Sequence, residues 1–173
     1  AAPYRIHELM KSYLEENRQY IERKGFEVKF SSGDEEAFIE VDKDNIETIL
    51  SNLTENAIKY SKDEKYIEYQ ISSNDKHVFL SISDHGVGIP KREQKNIFKK
   101  FYRVENSDTT SSKVKGHGLG LSIVKNMIEL NGGTIDVKSN PGQGTTFIVR
   151  FPKLNRESGP SNTSLDNDDQ VLV

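Results

Sequence analysis

Lys115-Gly116-His117-Gly118-Leu119-Gly120-Leu121 is the stretch from which the rest of the chain can be read. Three alternating glycines run straight into an apolar segment of Leu121, Ile123, Val124, Met127 and Ile128. Glycines at that density permit tight turns and leave no side chain between main-chain N–H groups and a ligand. A helix starting there turns its unpaired N–H groups and positive dipole end into the loop. The expected guest is an anion, most often a phosphate. A flexible loop before a helix explains three glycines about equally well, so the flanking sequence has to decide. Downstream, Gly118 to Leu130 predicts a helix apolar on two interleaved stripes and mostly buried, ended by Asn131-Gly132-Gly133. Upstream, Arg103 to Lys115 has no periodicity and is rich in small polar residues. A loop of that length beside a phosphate-type turn reads as a lid.

Composition narrows the classes. A chain of 173 residues suits one domain with one core. Apolar residues make up 34% and charged residues 29%, with no run long enough for a membrane span and no leader pattern at the start. The absence of cysteine excludes disulfides and thiolate metal sites, and fits a cytoplasmic location. A net charge of −3 gives no reason to expect nucleic acid. Four scattered histidines lack metal-ligand spacing, so any metal is expected to be a hard cation carried in by phosphates.

In chain order, residues 3–24 predict a helix with Ile6, Leu9, Met10, Tyr13, Leu14 and Ile21 on one face. His7-Glu8 imitates a reactive histidine followed by an acid, but nothing nearby activates it, and a surface histidine on a docking helix is the simpler reading. Phe26 to Phe30 and Ala37 to Val41 alternate as strands, and the polar turn between them predicts a hairpin. Asp42 or Asp44 can cap the next helix, whose stripe is Ile46, Ile49, Leu50, Leu53, Ala57 and Tyr60. Asn52, Asn56 and Lys59 share a second stripe beside it. Solvated polar residues explain any one of them. Together they suit a magnesium ion and phosphate oxygens. Tyr66 to Ser72 and His77 to Ser83 predict an antiparallel pair, which runs into Asp84-His85-Gly86-Val87-Gly88-Ile89-Pro90. A carboxylate at the end of a buried strand needs a donor, and an exocyclic amine such as adenine N6 supplies one. An Asp-Gly turn is the plainer alternative. Lys91 to Phe101 predicts a short helix anchored by Ile97, Phe98 and Phe101. Thr134 to Ser139 and Thr145 to Phe151 predict the last strands, and Lys153 to Val173 has the composition of a disordered tail.

These parts in this order resemble the catalytic domain of sensor histidine kinases. Asn52-Leu53-Thr54-Glu55-Asn56-Ala57-Ile58-Lys59-Tyr60 resembles their N box, and Asp84 to Pro90 their G1 box. Ile97 to Arg103 resembles the F box, Gly116 to Leu121 the G2 box, and Gly142-Gln143-Gly144-Thr145-Thr146-Phe147 the last glycine–threonine motif. The resemblance covers about residues 40–152 and implies the Bergerat or GHKL fold. That fold is a two-layer α/β sandwich, with a mixed, mostly antiparallel sheet covered on one face by helices and a mobile ATP lid. It further implies Mg-ATP as ligand. Asp84 would accept from adenine N6, with Thr145 or Thr146 supporting a bound water. Asn56 would coordinate Mg²⁺, with Asn52 near the metal and phosphates. Lys59 and Tyr60 would contact phosphate or ribose. Gly86, Gly88 and Ile89 would form the base side, and Gly116, Gly118, Leu119 and Gly120 the phosphate side. Arg103 would stabilise the transferring phosphoryl group. His117 stands where the family commonly has threonine.

The same fold serves gyrase-type ATPases and anti-sigma-type serine kinases, which are the alternative reading. In those ATPases the position four before the metal-binding asparagine is usually a glutamate that activates water. Here it is Asn52, and a carboxamide cannot take a proton from water at neutral pH. Glu55 lies about 100° around the helix from Asn56, a poor substitute. The expected function is therefore transfer of the ATP γ-phosphoryl group to a histidine on a dimerisation domain outside this chain, for relay to a response regulator. His7 is expected to be a decoy, because Ser12 stands where that motif would carry proline. Only 45 residues separate His7 from Asn52, which leaves no room for the second dimerisation helix. The expected organisation is a connecting segment and first helix over 1–24, the catalytic domain over 25–152 with its lid near 103–117, and a polar tail over 153–173. The parent is expected to be a membrane-anchored homodimeric receptor and this fragment a cytoplasmic monomer.

Overall fold

The computed structural model describes residues 1–102 and 120–155. The elements run β1 (Ala2–Arg5), α1 (Ile6–Arg23), β2 (Glu27–Ser32), β3 (Phe38–Val41), α2 (Lys43–Lys59), β4 (Tyr66–Ser73), β5 (His77–Asp84), α3 (Lys91–Gln94), α4 (Gly120–Leu130), β6 (Thr134–Ser139) and β7 (Thr145–Pro152). Five strands form an open sheet in the order β2-β4-β5-β7-β6, antiparallel except for the β2–β4 pair. Strand alternation makes one face apolar. Ile67, Tyr69 and Ile71 of β4, Val78, Leu80 and Ile82 of β5, and Phe147, Val149 and Phe151 of β7 are all buried. Ile46, Ile49, Leu50 and Leu53 of α2 and Ile6, Met10 and Ile21 of α1 join them in one core. This is the expected α/β sandwich with a mixed, mostly antiparallel sheet. The Asp42 carboxylate caps α2, accepting from the N–H groups of Asp44 and Asn45.

Three expectations are corrected at the N-terminal end. The first helix begins at Ile6, not at residue 3, because Ala2–Arg5 is a strand. The expected β2–β3 hairpin does not form. β2 pairs parallel with β4, setting Val28 beside Ile67 and Phe30 beside Tyr69, while β3 pairs antiparallel with β1. A distant strand thus supplies the apolar neighbours that local order had assigned to β3, and Pro3 sits in a two-stranded ribbon where a missing donor is tolerated. His7 is not on the open surface. Its ring lies 5.4 Å from that of Phe30, and its Nδ1 is buried without a hydrogen-bond partner among the described residues.

Elsewhere, the helix expected over 91–101 stops at Gln94. The chain continues in three-residue turns, and Phe101 takes φ 65°, which turns its ring outward to 66% exposure. Tyr102 is the anchor instead, donating its hydroxyl to Glu93 Oε1 at 3.1 Å. Helix α4 buries only Val124 and Ile128 fully, so it lies on the core by one seam, with Ile123 and Leu130 exposed. Asn131 ends it with its side-chain oxygen on the N–H of Asp42, tying the end of α4 to the start of α2. Lys153 and Leu154, expected in the disordered tail, are held to the fold. Lys153 Nζ lies 2.9 Å from Asp34 Oδ2, and Leu154 N donates to Phe38 O. Residues 156–173 lie outside the described residues.

Candidate nucleotide site

The site is built where core rows run out at one end of the sheet. In β5 the buried positions are Val78, Leu80, Ile82 and then Asp84. In β7 they are Phe151, Val149, Phe147 and then Thr145. Asp84 pairs with Thr145 in register, so a carboxylate and a hydroxyl stand side by side as polar extensions of two apolar rows. Oδ1 of Asp84 accepts from the N–H groups of Gly86 at 2.8 Å and Thr145 at 3.3 Å. Among the described residues its Oδ2 accepts no bond. Burial pushes the Asp84 carboxyl up to about 6, against the pull of those two N–H groups and of His85. A buried carboxylate with one pinned oxygen suits a ligand that brings an N–H donor.

The glycines after Asp84 have a structural reason that the sequence does not display. A Cβ on Gly86 would lie 2.2 Å from the carbonyl oxygen of Tyr60, and one on Gly88, at φ 72°, 2.1 Å from that of Asn140. They let the loop press against the end of α2, where Val87 N donates to Tyr60 O, and against the β6–β7 turn, where Gly142 N donates to Val87 O. Ile89, packed against the core, donates its N–H to Ser139 Oγ, and its carbonyl accepts from Gln94 Nε2. Neither Ser139 nor Gln94 was singled out in the sequence, because a serine ending a strand and a glutamine in a charged helix carry no pattern. Thr146 sits one residue along β7 and so points to the other face of the sheet, where its hydroxyl meets Ser83 Oγ at 2.8 Å. Of the two threonines, only Thr145 shares a face with Asp84.

Helix α2 supplies the opposite wall. Asn52 donates its Nδ2 to Thr48 O at 2.9 Å, which leaves its Oδ1 toward α4, 3.8 Å from where a Cβ on Gly120 would stand. Asn56, one turn on, is half-buried, and its carboxamide makes no hydrogen bond to the described residues. The Lys59 ammonium lies 5.6 Å from the ring centroid of Tyr60. Glu55 is turned away from this face and accepts from the hydroxyl of Tyr20 on α1. Asn52, Asn56 and Gly120 are therefore brought to one side, and Asp84, Gly86, Ile89 and Thr145 to the base of the sheet. Arg103, Gly116, His117, Gly118, Leu119 and the expected lid lie outside the described residues.

An open sheet with one helical layer, a buried carboxylate at a strand end and paired asparagines on the facing helix define an ATP-binding domain. The chain belongs to the family of histidine kinase-, DNA gyrase B- and HSP90-like ATPases, whose model matches residues 41–155. Within it, the chain is 37% identical over 121 residues to the sensor histidine kinase WalK of Bacillus subtilis, covering 69% of this chain and 20% of that protein. It is 39% identical over 117 residues to the signal transduction histidine-protein kinase ArlS of Staphylococcus epidermidis, covering 68% and 25%. The chain thus spans a fifth to a quarter of the length of these relatives. The catalytic domain of histidine kinase ThkA superposes with a TM-score of 0.74 at 27% identity, covering 88% of this chain and 97% of that one. Full-length ShkA in complex with AMPPNP gives 0.74 at 27% identity, covering 88% and 31%. ThkA in complex with the response regulator TrrA gives 0.71 at 26%, covering 88% and 42%.

Proposed function

We propose that this chain is the Mg-ATP-binding catalytic domain of a sensor histidine kinase. It transfers the γ-phosphoryl group to a histidine on a dimerisation domain outside this chain, for relay to a response regulator. The observation that carries the choice of kinase over hydrolase is the face of α2. Asn52 Oδ1 faces the start of α4, and the neighbouring carboxylate on α2, Glu55, is bound to Tyr20 on the far side. A carboxamide cannot act as a general base toward water at neutral pH, so the site favours handing the phosphoryl group to another acceptor.

The remaining roles follow from chemistry. Asp84 accepts from the adenine amine, and Thr145 stands beside it. Lys59 offers an ammonium to phosphate oxygens, and Tyr60 lies next to it for the ribose. Among the described residues no group of three or more His, Cys, Asp or Glu could cage a metal. Magnesium does not need such a cage, since it keeps waters and takes one or two protein oxygens together with phosphates. The Asn56 and Asn52 carboxamides fit that use and would hold it, and the ion would neutralise phosphate charge. The family resemblance adds Gly116, Gly118, Leu119 and Gly120 on the phosphate side and Arg103 at the transferring group. Binding of AMPPNP by ShkA and of a response regulator by ThkA support nucleotide and partner respectively. The proposed setting is the cytoplasmic part of a homodimeric, membrane-anchored bacterial receptor. Among the described residues no helix is long and apolar enough to cross a membrane.

Titration calorimetry with Mg-ATP, coupled to a phosphate-release assay, tests this reading. Micromolar binding with phosphate release near background is expected. Sustained turnover of several per second by the chain alone would instead identify a hydrolase.

A further inference from the structure

Ser139, the last residue of β6, is buried, and its hydroxyl is fully committed. Its oxygen accepts the N–H of Ile89 at 2.7 Å, its proton goes to the carbonyl of Gly144 at 2.7 Å, and it lies 2.9 Å from the hydroxyl of Thr145. A serine hydroxyl has one proton and two lone pairs. A carbonyl can only accept, so the proton is spent on Gly144. The Ile89 N–H occupies one lone pair. The only role left toward Thr145 is acceptance, so Thr145 donates. That spends the single proton of Thr145 and leaves its oxygen able only to accept. Beside it, Asp84 has Oδ1 filled by two backbone donors and Oδ2 as a further acceptor. Gln94 locks the assembly by donating Nε2 to both Ile89 O and Ser139 O.

We propose that Ser139 is a positioning residue for base selection: by taking the proton of Thr145 it makes the base end of the site acceptor-only, which selects an amino over an oxo substituent on the purine. The inference rests on the nucleotide reading above. Adenine brings an exocyclic amine to this end. Hypoxanthine and guanine bring an oxygen, which would face only acceptors, and unpaired polar groups of that kind discriminate strongly.

The test compares ADP with IDP, which differ at the purine 6-position and the adjoining ring nitrogen, by titration calorimetry on the whole chain. In Ser139→Ala the Thr145 proton is released and can turn to an oxo group, so the preference for ADP over IDP is expected to fall about tenfold. Ser139→Thr keeps the hydroxyl and is expected to keep the wild-type ratio. A serine that merely braces the turn would weaken both nucleotides in proportion. An unchanged ratio in Ser139→Ala therefore overturns the inference, as does a ratio that falls equally in Ser139→Thr. If Ser139→Ala fails to fold by circular dichroism, Thr145→Val decides. Loss of an acceptor is expected to weaken ADP about tenfold and leave IDP within about twofold. Equal losses, or a larger loss for IDP, overturn the inference. Wild-type protein that binds neither nucleotide refutes the nucleotide reading itself, an outcome distinct from all of these.

Discussion

Replacing Asp84 by asparagine is expected to make the protein more stable and to disable its site. Burial raises the Asp84 carboxyl from an ordinary 3.8 to about 6, so the folded chain holds this proton more tightly than the unfolded chain does. Between about pH 4 and pH 6 the folded state binds the extra proton, and stability falls as the pH rises through that window. Well above pH 6 the charge is carried in full, at a cost of about 3 kcal/mol. Asp84→Asn keeps an oxygen for the Gly86 and Thr145 N–H groups and removes the charge. The variant should exceed wild type by up to about 3 kcal/mol at pH 8, with the gap closing toward pH 4. Urea unfolding followed by circular dichroism at pH 4, 6 and 8 measures this. The same change places an amide donor where the proposed adenine contact needs an acceptor, so ADP affinity should fall about a hundredfold. A variant no more stable than wild type at pH 8 would refute the assigned burial cost, and one that keeps micromolar ADP binding would refute the role of Oδ2.

Gly86→Ala should lower stability by about 2 kcal/mol in thermal melts and weaken ADP, because its Cβ meets the Tyr60 carbonyl oxygen at 2.2 Å, a backbone atom already held by Val87 N. Thr54→Val should cost about 1–3 kcal/mol in urea unfolding. Thr54 Oγ1 is the shared partner of the buried Tyr13 and Tyr69 hydroxyls, at 3.1 and 2.7 Å, and both would lose it. Bonds from Ser73 and Lys153 hold the Asp34 carboxyl below its ordinary value, so they stabilise above the usual carboxylate range and are lost as the pH falls through and below it. Lys153→Ala should therefore be less stable than wild type by under about 1 kcal/mol at pH 7, and the difference should shrink as the pH falls below the usual carboxylate range. The preference for ADP over IDP should itself shrink below about pH 6, where a protonated Asp84 becomes a donor; because phosphate titration is common to both nucleotides, their affinity ratio isolates this effect.

The parts legible in the sequence are those whose pattern is local. β4, β5 and β7 alternate cleanly, and Asp84 was visible because it continues the Val78, Leu80, Ile82 row by one step. Asn52, Asn56 and Lys59 were visible because a helix repeats every three to four residues. What escaped depends on distance. Nothing near Ala2–Arg5 announces that it will pair with Phe38–Val41, or that β2 will lie parallel to β4. The outward turn of Phe101 follows from one backbone angle that no side-chain pattern encodes. Gly86 and Gly88 looked like openings for a base, yet the space beside them is filled by backbone. Ser139 escaped for the same reason, since its importance lies in three partners, Ile89, Gly144 and Thr145, that the fold brings together.

The most direct test of the central claim follows the fate of the phosphoryl group. The chain is mixed with the dimerisation helices of its parent receptor and γ-labelled Mg-ATP, and label is traced by gel and by acid and base stability. The account predicts label on those helices that is acid-labile and base-stable, as expected of a phosphohistidine, and its loss in Asp84→Asn. Label released only as inorganic phosphate, with none on the helices, would contradict it.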